Sequence, residues 1–211
     1  MRRGFDLIVF DWDGTLSDST AAIVGCIQAA CRDLKVPEPS DTLASSVIGL
    51  GLHEALRIAV PDLPESDHDR LADRYRHHFL LDVHRIGLFP GVVEMLDDLR
   101  GRGHLLAIAT GKSRAGLDRV LAQSGIAKYF DATRCADETF SKPHPAMLLE
   151  LTDALGVECA STVMIGDTTH DLLMAQNANT AGVGVAYGAH PRSALEALQP
   201  LHIATDAVGL H

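Results

Sequence analysis

The chain has 211 residues and a formal net charge of −10, and 46% of its residues are hydrophobic and 22% are charged. This composition is typical of a globular protein and excludes a disordered or fibrous chain. The negative charge, which no local run of Lys and Arg offsets, opposes binding to nucleic acid or to an anionic membrane. No apolar stretch is long enough to span a bilayer, and the four cysteines lack metal-finger spacing, so we expect a reduced, cytoplasmic protein.

The first predicted strand, residues 5–10, is followed by a long segment without a convincing strand. Apolar residues in that segment repeat with helical spacing at 21–34, 53–60 and 67–81. The sequence therefore predicts a helical cap domain at 17–87, inserted into a core domain that comprises residues 1–16 and 88–211.

The borders of the predicted cap carry suitable local signals. Ser17 and Ser19 offer helix-capping side chains where the chain leaves the first strand. Gly87-Leu88-Phe89-Pro90-Gly91 is rich in turn residues, which is expected where the chain re-enters the core.

After the cap, apolar runs and helical patterns alternate. Further strands are predicted at 105–110, 162–166 and 183–186, with a shorter one at 130–133, and helices at 92–100, 115–123, 146–155 and 172–178. This alternation predicts an α/β fold with a parallel sheet and helices on both faces.

Polar residues follow the ends of three predicted strands. Asp11 and Asp13 follow the first, Thr110-Gly111-Lys112 the second, and Asp167 with Asp171 a later one. Because the carboxyl ends of parallel strands share one edge, we expect these groups to converge on a ligand site there.

Asp11 and Asp13 are two residues apart, so in an extended backbone both side chains point to one side. Their mutual repulsion is relieved if one carboxyl is protonated or if a cation binds, and Asp167 adds a third oxygen donor. Hard oxygen ligands of this kind suit Mg²⁺, which often completes its coordination with substrate phosphate.

Phosphoryl chemistry is therefore predicted for this edge. One carboxylate can attack phosphorus to form an aspartyl-phosphate, while a second protonates the leaving oxygen and then activates water. The Thr110 hydroxyl, the Gly111 amide and the Lys142 ammonium group could hold the negative phosphoryl oxygens.

Four motifs occur in a fixed order, with the helical insertion directly after the first. They are DWDGTL at 11–16, TGK at 110–112, SKPHP at 141–145 and GDTTHD at 166–171. In this combination the chain resembles the haloacid dehalogenase superfamily, and more narrowly its phosphoglycolate phosphatase-like branch. The resemblance implies a Rossmann-like sheet with a central first strand and an inserted α-helical cap.

The resemblance also implies roles for individual residues. Asp11 would be the nucleophile and Asp13 the general acid/base, while Thr110 and Lys142 would hold the phosphoryl group. The metal ligands would be Asp11, Asp13 through its backbone carbonyl, and Asp167, with Asp171 supporting the ion through water.

Other roles for single residues stay open at this level. Asp171 precedes two leucines and could also be a helix N-cap, Thr110 could cap the helix that follows it, and Lys142 could be a solvated loop charge. His53, in the cap loop, is a candidate substrate contact or an ordinary surface histidine.

The function that we expect is a Mg²⁺-dependent phosphatase of a small phosphorylated metabolite such as phosphoglycolate. A dehalogenase would need neither Asp13 nor Asp167, and a phosphonatase would need a cap lysine, where only Lys35 is available. A sugar-phosphate mutase is an alternative, but the cap loop offers Leu50 and Leu52 where it would need cations. A signalling receiver or a purely phosphate-binding homologue is less favoured.

Overall fold

The computed structural model describes residues 4–210, so the outermost limits of the predicted core, residues 1 and 211, lie outside the described residues. Its strands are β1 (Leu7–Phe10), β2 (Leu105–Thr110), β3 (Ala132–Cys135), β4 (Thr162–Gly166), β5 (Ala181–Val185) and β6 (His202–Ala204). All neighbouring pairs are parallel, in the order β3-β2-β1-β4-β5-β6. The α/β, Rossmann-like class with a central first strand is confirmed.

Helices of the core cover both faces of this sheet. They are α5 (Val92–Gly101), α6 (Arg114–Ser124), α7 (Ala146–Leu155), α8 (Thr169–Asn177) and the short α9 (Arg192–Glu196). Successive strand side chains point to opposite faces. Ile8 and Phe10 pack in one cluster with residues of α5 and α6, whereas Leu7 and Val9 pack in another with residues of α7 and α8. The apolar run of β1 is thus buried on both sides.

Between β1 and α5 the chain forms the helices of the cap. These are α1 (Thr20–Leu34), α2 (Asp41–Ser46), α3 (Leu52–Ala59) and α4 (His68–Asp82). They enclose a hydrophobic cluster of their own, with Ile27, Leu56 and Leu71 almost fully buried. No strand lies in the described residues 17–87, which is consistent with the proposed division into cap and core.

The two chain segments that join cap and core lie side by side. The amide of Asp18 donates to the carbonyl of Gly87 at 3.0 Å, and the amide of Phe89 donates to the carbonyl of Leu16 at 3.0 Å. The entry and exit of the cap are therefore fixed against each other next to the end of β1.

Three elements were missed by the sequence patterns, and several ends were misplaced by one to three residues, the most for α8, which begins at Thr169 and not at residue 172. α2, α9 and β6 have six, five and three residues, too few for a periodic signal. β5 begins at Ala181 rather than at residue 183 because the glycine-containing AGVGV carries a weak apolar pattern. None of the helices in the described chain is long and apolar enough to cross a membrane.

Candidate active site

Asp11 lies at the centre of the carboxyl edge of the sheet. Its amide donates to the carbonyl of Ile165 at 2.9 Å, which continues the pairing of β1 with β4 by one residue. The side chain is fully buried. Burial, and then the neighbouring carboxylates, raise the pKa of Asp11 well above its usual range, although Lys142 acts in the opposite direction.

Lys142 joins two of the predicted site residues. Its Nζ atom lies 2.5 Å from Oδ1 of Asp11 and 2.7 Å from Oδ1 of Asp171, and all three side chains are buried. Burial alone would lower the pKa of Lys142, but its two carboxylate partners outweigh burial and raise it, which favours the charged ammonium form. The alternative that Lys142 is a solvated loop charge is wrong.

Asp171 belongs both to the first turn of α8 and to this cluster. Thr168 is the N-cap of α8, and its amide and hydroxyl donate to Oδ2 of Asp171 at 3.1 and 2.7 Å in a capping box. The other oxygen of Asp171 accepts from Lys142. The alternative that Asp171 is itself the N-cap is wrong, because it occupies the third helical position.

Asp167 follows β4 directly and is also fully buried. Its Oδ1 accepts from the Thr15 hydroxyl at 2.8 Å, and its Oδ2 accepts from the Ala189 amide at 2.7 Å. Burial, and then the charge of Asp171, raise the pKa of Asp167 to about 7, although the two hydrogen bonds act to lower it.

Three carboxylates thus form one cluster. One oxygen from each of Asp11, Asp167 and Asp171 lies within 4.8 Å of the others. When all three carboxylates are ionised, they and Lys142 carry a net charge of −2 (three negative charges and one positive). Oδ2 of Asp11 is buried without a hydrogen-bond partner among the described residues. A buried carboxylate oxygen without a donor is costly. The charge and the oxygen donor set both fit a divalent cation such as Mg²⁺.

Gly14 is needed for this cluster to form. Its φ is +81°, which favours glycine, and a Cβ atom there would overlap the carboxylate of Asp167. The glycine of the DWDGTL motif therefore allows both the turn after Asp13 and the close approach of Asp167.

Asp13 points to different partners from those of Asp11. Its Oδ1 accepts from the Ser19 hydroxyl at 2.7 Å, and its Oδ2 lies 3.0 Å from Nζ of Lys112. The carboxylate of Asp13 is not part of the three-carboxylate cluster. A metal-binding role of Asp13 therefore rests on its backbone carbonyl and stays a prediction.

The substrate-binding candidates of the TGK motif lie at the end of β2. The Thr110 hydroxyl is buried and accepts from the Lys112 amide at 3.2 Å, while the N-cap of α6 is Ser113, so the helix-capping alternative for Thr110 is wrong. Gly111 faces the cap loop, where a Cβ atom would overlap the carbonyls of Gly49 and Leu50. The core loop, residues 111–113 between β2 and α6, therefore touches the cap loop, residues 47–51 between α2 and α3, through its backbone.

A cavity of about 750 Å³ extends from Asp13 between the core loop and the cap. His53 lines it, with Nε2 at 3.3 Å from Arg76 and Nδ1 at 3.6 Å from Asp69. His53 therefore lies on the cavity wall and away from the carboxylate cluster, and its contact with substrate stays a prediction.

Four supporting residues were given no role in the site by sequence reasoning, although Lys112 was expected to lie at this edge of the sheet. Lys112 and Ser19 hold Asp13, and Thr15 and Thr168 hold Asp167 and Asp171. Ser19 was expected to cap α1, but its hydroxyl makes no cap hydrogen bond because it donates to Asp13. Thr15, Lys112 and Thr168 lie inside the quoted motifs, which was the one signal available for them.

The parallel sheet, the helices inserted after β1 and the buried acidic cluster define a Rossmann-like α/β protein with a polar site at the carboxyl edge of its strands. Residues 8–185 match the family described as Haloacid dehalogenase-like hydrolase, and the chain belongs to that family. The resemblance predicted from the motifs is confirmed.

Relatives and solved structures align over nearly the whole chain. It is 40% identical to the "Probable phosphatase IndB" of Dickeya dadantii, over 92% of this chain and 86% of that protein. It is 30% identical to a 5'-nucleotidase of Pseudomonas aeruginosa, over 96% of this chain and 92% of that protein. The crystal structure of a "predicted phosphoglycolate phosphatase" from Haemophilus somnus has a TM-score of 0.89 and 27% identity, covering 100% of this chain and 97% of that one.

Proposed function

We propose that this hydrolase is a Mg²⁺-dependent phosphatase of a small phosphorylated metabolite and acts through an aspartyl-phosphate intermediate. The observation that carries the proposal is the buried Asp11 carboxylate, which Lys142 fixes at one oxygen while the other oxygen has no hydrogen bond among the described residues. The names of the relatives, which include phosphatases and a nucleotidase, support the same reaction class.

The first half-reaction uses the two aspartates of the DWDGTL motif. An oxygen of Asp11 attacks phosphorus and forms the acyl phosphate bond while the bond from phosphorus to the leaving oxygen breaks. Asp13 gives its proton to that oxygen, which departs as an alcohol. In the second half-reaction Asp13 takes a proton from water, which attacks phosphorus and releases phosphate from Asp11.

The contacts of the two aspartates support this division of roles. Lys142 binds one oxygen of Asp11 and fixes its direction, whereas Asp13 is bound by Ser19 at the start of the cap segment and by Lys112 from the end of β2. Thr110, the Gly111 amide and Lys142 would bind the phosphoryl oxygens. Asp11, Asp167 and the carbonyl of Asp13 would hold Mg²⁺, with Asp171 in support, and the bound ion would neutralise phosphoryl charge.

The cap meets the core at several points around the site. The Gly51 amide donates to the Ser141 hydroxyl at 2.9 Å, and the carbonyl of Ser46 accepts from Nε2 of His170 at 3.0 Å and of His190 at 3.1 Å. A docked cap excludes bulk water from the phosphorylated aspartate. Leu50 and Leu52 line the cavity wall, and neither side chain could hold the second phosphate that a mutase must bind.

The proposal is tested with Asp11→Asn. The purified variant should fold normally and bind Mg²⁺ less tightly, and its release of phosphate from p-nitrophenyl phosphate should fall at least about a thousandfold, because the amide is a poor nucleophile. Asp6→Asn, on the exposed approach to β1, is the control and should keep full activity. Normal turnover by Asp11→Asn would show that the nucleophile is another group.

A further inference from the structure

We infer that the cavity beside Asp13 holds a leaving group that is larger than glycolate and carries a planar ring. The inference rests on the proposed function, because it assumes that a phosphate monoester reacts at Asp11. It concerns the alcohol part of the substrate, which the core motifs do not specify.

The position of the cavity assigns it to the leaving group. Asp13 lines the cavity, and in the proposed reaction Asp13 protonates the leaving oxygen. Asp13 also lines a smaller cavity of about 270 Å³, so the larger space between the Gly111 loop and the cap is the one that can take a sizeable substituent on that oxygen. The volume is about 750 Å³, and cavities of roughly 300–1,000 Å³ enclose drug-sized ligands. A two-carbon acid would leave most of this space to water.

The cap side of the cavity is apolar and aromatic. Ile27 of α1, Leu56 of α3 and the two rings of α4, Tyr75 and Phe79, line it. The two rings are stacked, with centroids 5.9 Å apart and an interplanar angle of 21°. Lys112 lies 4.5 Å from the centre of the Phe79 ring, so Tyr75 is the better surface for a ring of the substrate. Flat rings stack favourably on such a wall.

Most of the positively charged side chains that line the cavity are paired with carboxylates. Nζ of Lys112 lies 3.0 Å from Asp13, Arg76 is paired with Asp73 at 2.8 Å, and Arg57 is paired with Glu65. Arg119 is exposed on α6 and has no ion pair among the described residues. The cation next to Asp13 is therefore already neutralised, which disfavours the carboxylate of phosphoglycolate at that point.

Tyr75 also presents a polar group. Its hydroxyl makes no hydrogen bond with the described residues, and burial together with the nearby Asp13 charge raises the pKa of Tyr75 well above its usual range. The phenol is therefore neutral, and its free hydroxyl can donate to a polar atom on the edge of a ring.

The experiment compares kcat/KM for three phosphate esters on the full chain with Mg²⁺. Uridine 5′-monophosphate and ribose 5-phosphate share the same leaving carbon and differ in the base, and phosphoglycolate represents the small acid. We expect kcat/KM for uridine 5′-monophosphate to exceed that for each of the others by about tenfold or more, because only its base can stack on Tyr75.

Variants of Tyr75 locate the effect. Tyr75→Leu should reduce the ratio of kcat/KM for the nucleotide over ribose 5-phosphate about tenfold, whereas Tyr75→Phe keeps the ring and should keep most of the ratio. Leu81→Ala, an exposed residue on the same helix, is the control and should leave the ratio unchanged. The ratio is insensitive to the folded fraction, because both substrates meet the same protein.

The outcomes separate the two proposals. Hydrolysis of all three esters with no advantage for the nucleotide, or an unchanged ratio in Tyr75→Leu, would overturn the ring-binding inference and leave the phosphatase intact. Fastest turnover of phosphoglycolate, with loss of that activity in Arg119→Met, would show that a carboxylate is recognised instead. Failure to hydrolyse any of the esters or p-nitrophenyl phosphate would overturn the proposed function itself.

Discussion

The buried carboxylate cluster at the strand ends and the cavity lined by Asp13 are built in opposite ways. In the cluster, Asp11, Lys142, Asp167 and Asp171 are fully buried, and each has partners from distant parts of the chain. In the cavity, apolar side chains from the cap surround an open volume. The core therefore holds the reacting groups in fixed positions, whereas the cap determines the size and polarity of the space for the leaving group of the phosphate ester.

The largest effect should come from breaking the cluster at Lys142. Lys142→Met leaves the buried carboxylates of Asp11 and Asp171 without their cation, so we expect a loss of about 3–5 kcal/mol in the free energy of unfolding. Urea unfolding followed by circular dichroism measures it. Lys128→Met is the control, because Lys128 is exposed and makes a contact with Tyr129 worth under about 1 kcal/mol. A loss as small as that of the control would contradict the buried ion pairs.

Binding of Mg²⁺ to the carboxylate cluster should have a somewhat smaller effect on the free energy of unfolding. Mg²⁺ at one fixed concentration, about 100 times its Kd at pH 8, should stabilise the fold by about 2.7 kcal/mol at that pH. The metal needs ionised carboxylates, and the pKa of Asp167 is about 7, so the gain should be larger at pH 8 than at pH 6.

The metal-free protein should respond to pH in the opposite sense. The pKa of Asp167 is raised from an ordinary value of 3.8, so the folded state binds more protons than the unfolded chain between these values. Asp167 therefore contributes stability at low pH that is lost as the pH rises through about 7. Thermal unfolding with and without Mg²⁺, at matched ionic strength, tests both predictions: that the Mg²⁺ gain rises with pH and that the stability of the metal-free protein falls. An equal Mg²⁺ effect at both pH values would argue against Asp167 as a ligand.

Gly111→Ala should destabilise the contact between the core loop and the cap loop. The added Cβ atom would overlap the carbonyls of Gly49 and Leu50 in the cap loop, so the loop must move, at a cost of about 1–3 kcal/mol. Hydrogen exchange at the Gly51 amide, which is bonded to Ser141, should become faster. Gly101→Ala, where nothing lies within 4 Å of the new Cβ atom, should not destabilise the protein. Unchanged protection of Gly51 would show that the loops tolerate the methyl group.

The smallest effect should come from Ser19→Ala. The variant removes the hydroxyl that donates to Asp13 at 2.7 Å, and one hydrogen bond contributes about 0.5–1.5 kcal/mol. We therefore expect kcat for p-nitrophenyl phosphate to fall about three- to tenfold, with KM nearly constant. Ser193→Ala, on the exposed surface of α9, should leave kcat unchanged. A change in KM alone would mean that Ser19 acts on binding and not through Asp13.

The sequence predicted the sheet and the placement of the acidic groups because both depend on local patterns. β1, β2 and β4 are uninterrupted apolar runs, and each is followed at once by the polar residues of a motif. In a parallel sheet that order is enough to place those residues on one edge.

The partners of Asp13 could not be predicted in this way. Ser19 lies six residues further on in a position suited to a helix cap, and only the folded linker turns its hydroxyl to Asp13. Lys112 meets Asp13 from a different strand end, with the Phe79 ring of the cap over it. β6 was missed for another reason, because three residues at the edge of the sheet carry too short a pattern.

The adjacent linkers at Leu16–Phe89 and Asp18–Gly87 have an evolutionary consequence. The chain leaves and re-enters the core at neighbouring points joined by hydrogen bonds. Because the entropy cost of closing a loop rises only slowly with its length, a longer cap segment between these points would add little to that cost. A cap of different length or fold could be exchanged at these two points without altering the register of β1 with β2 and β4. Substrate preference could then diversify by replacement of one module, while Asp11 and its neighbours stay where they are.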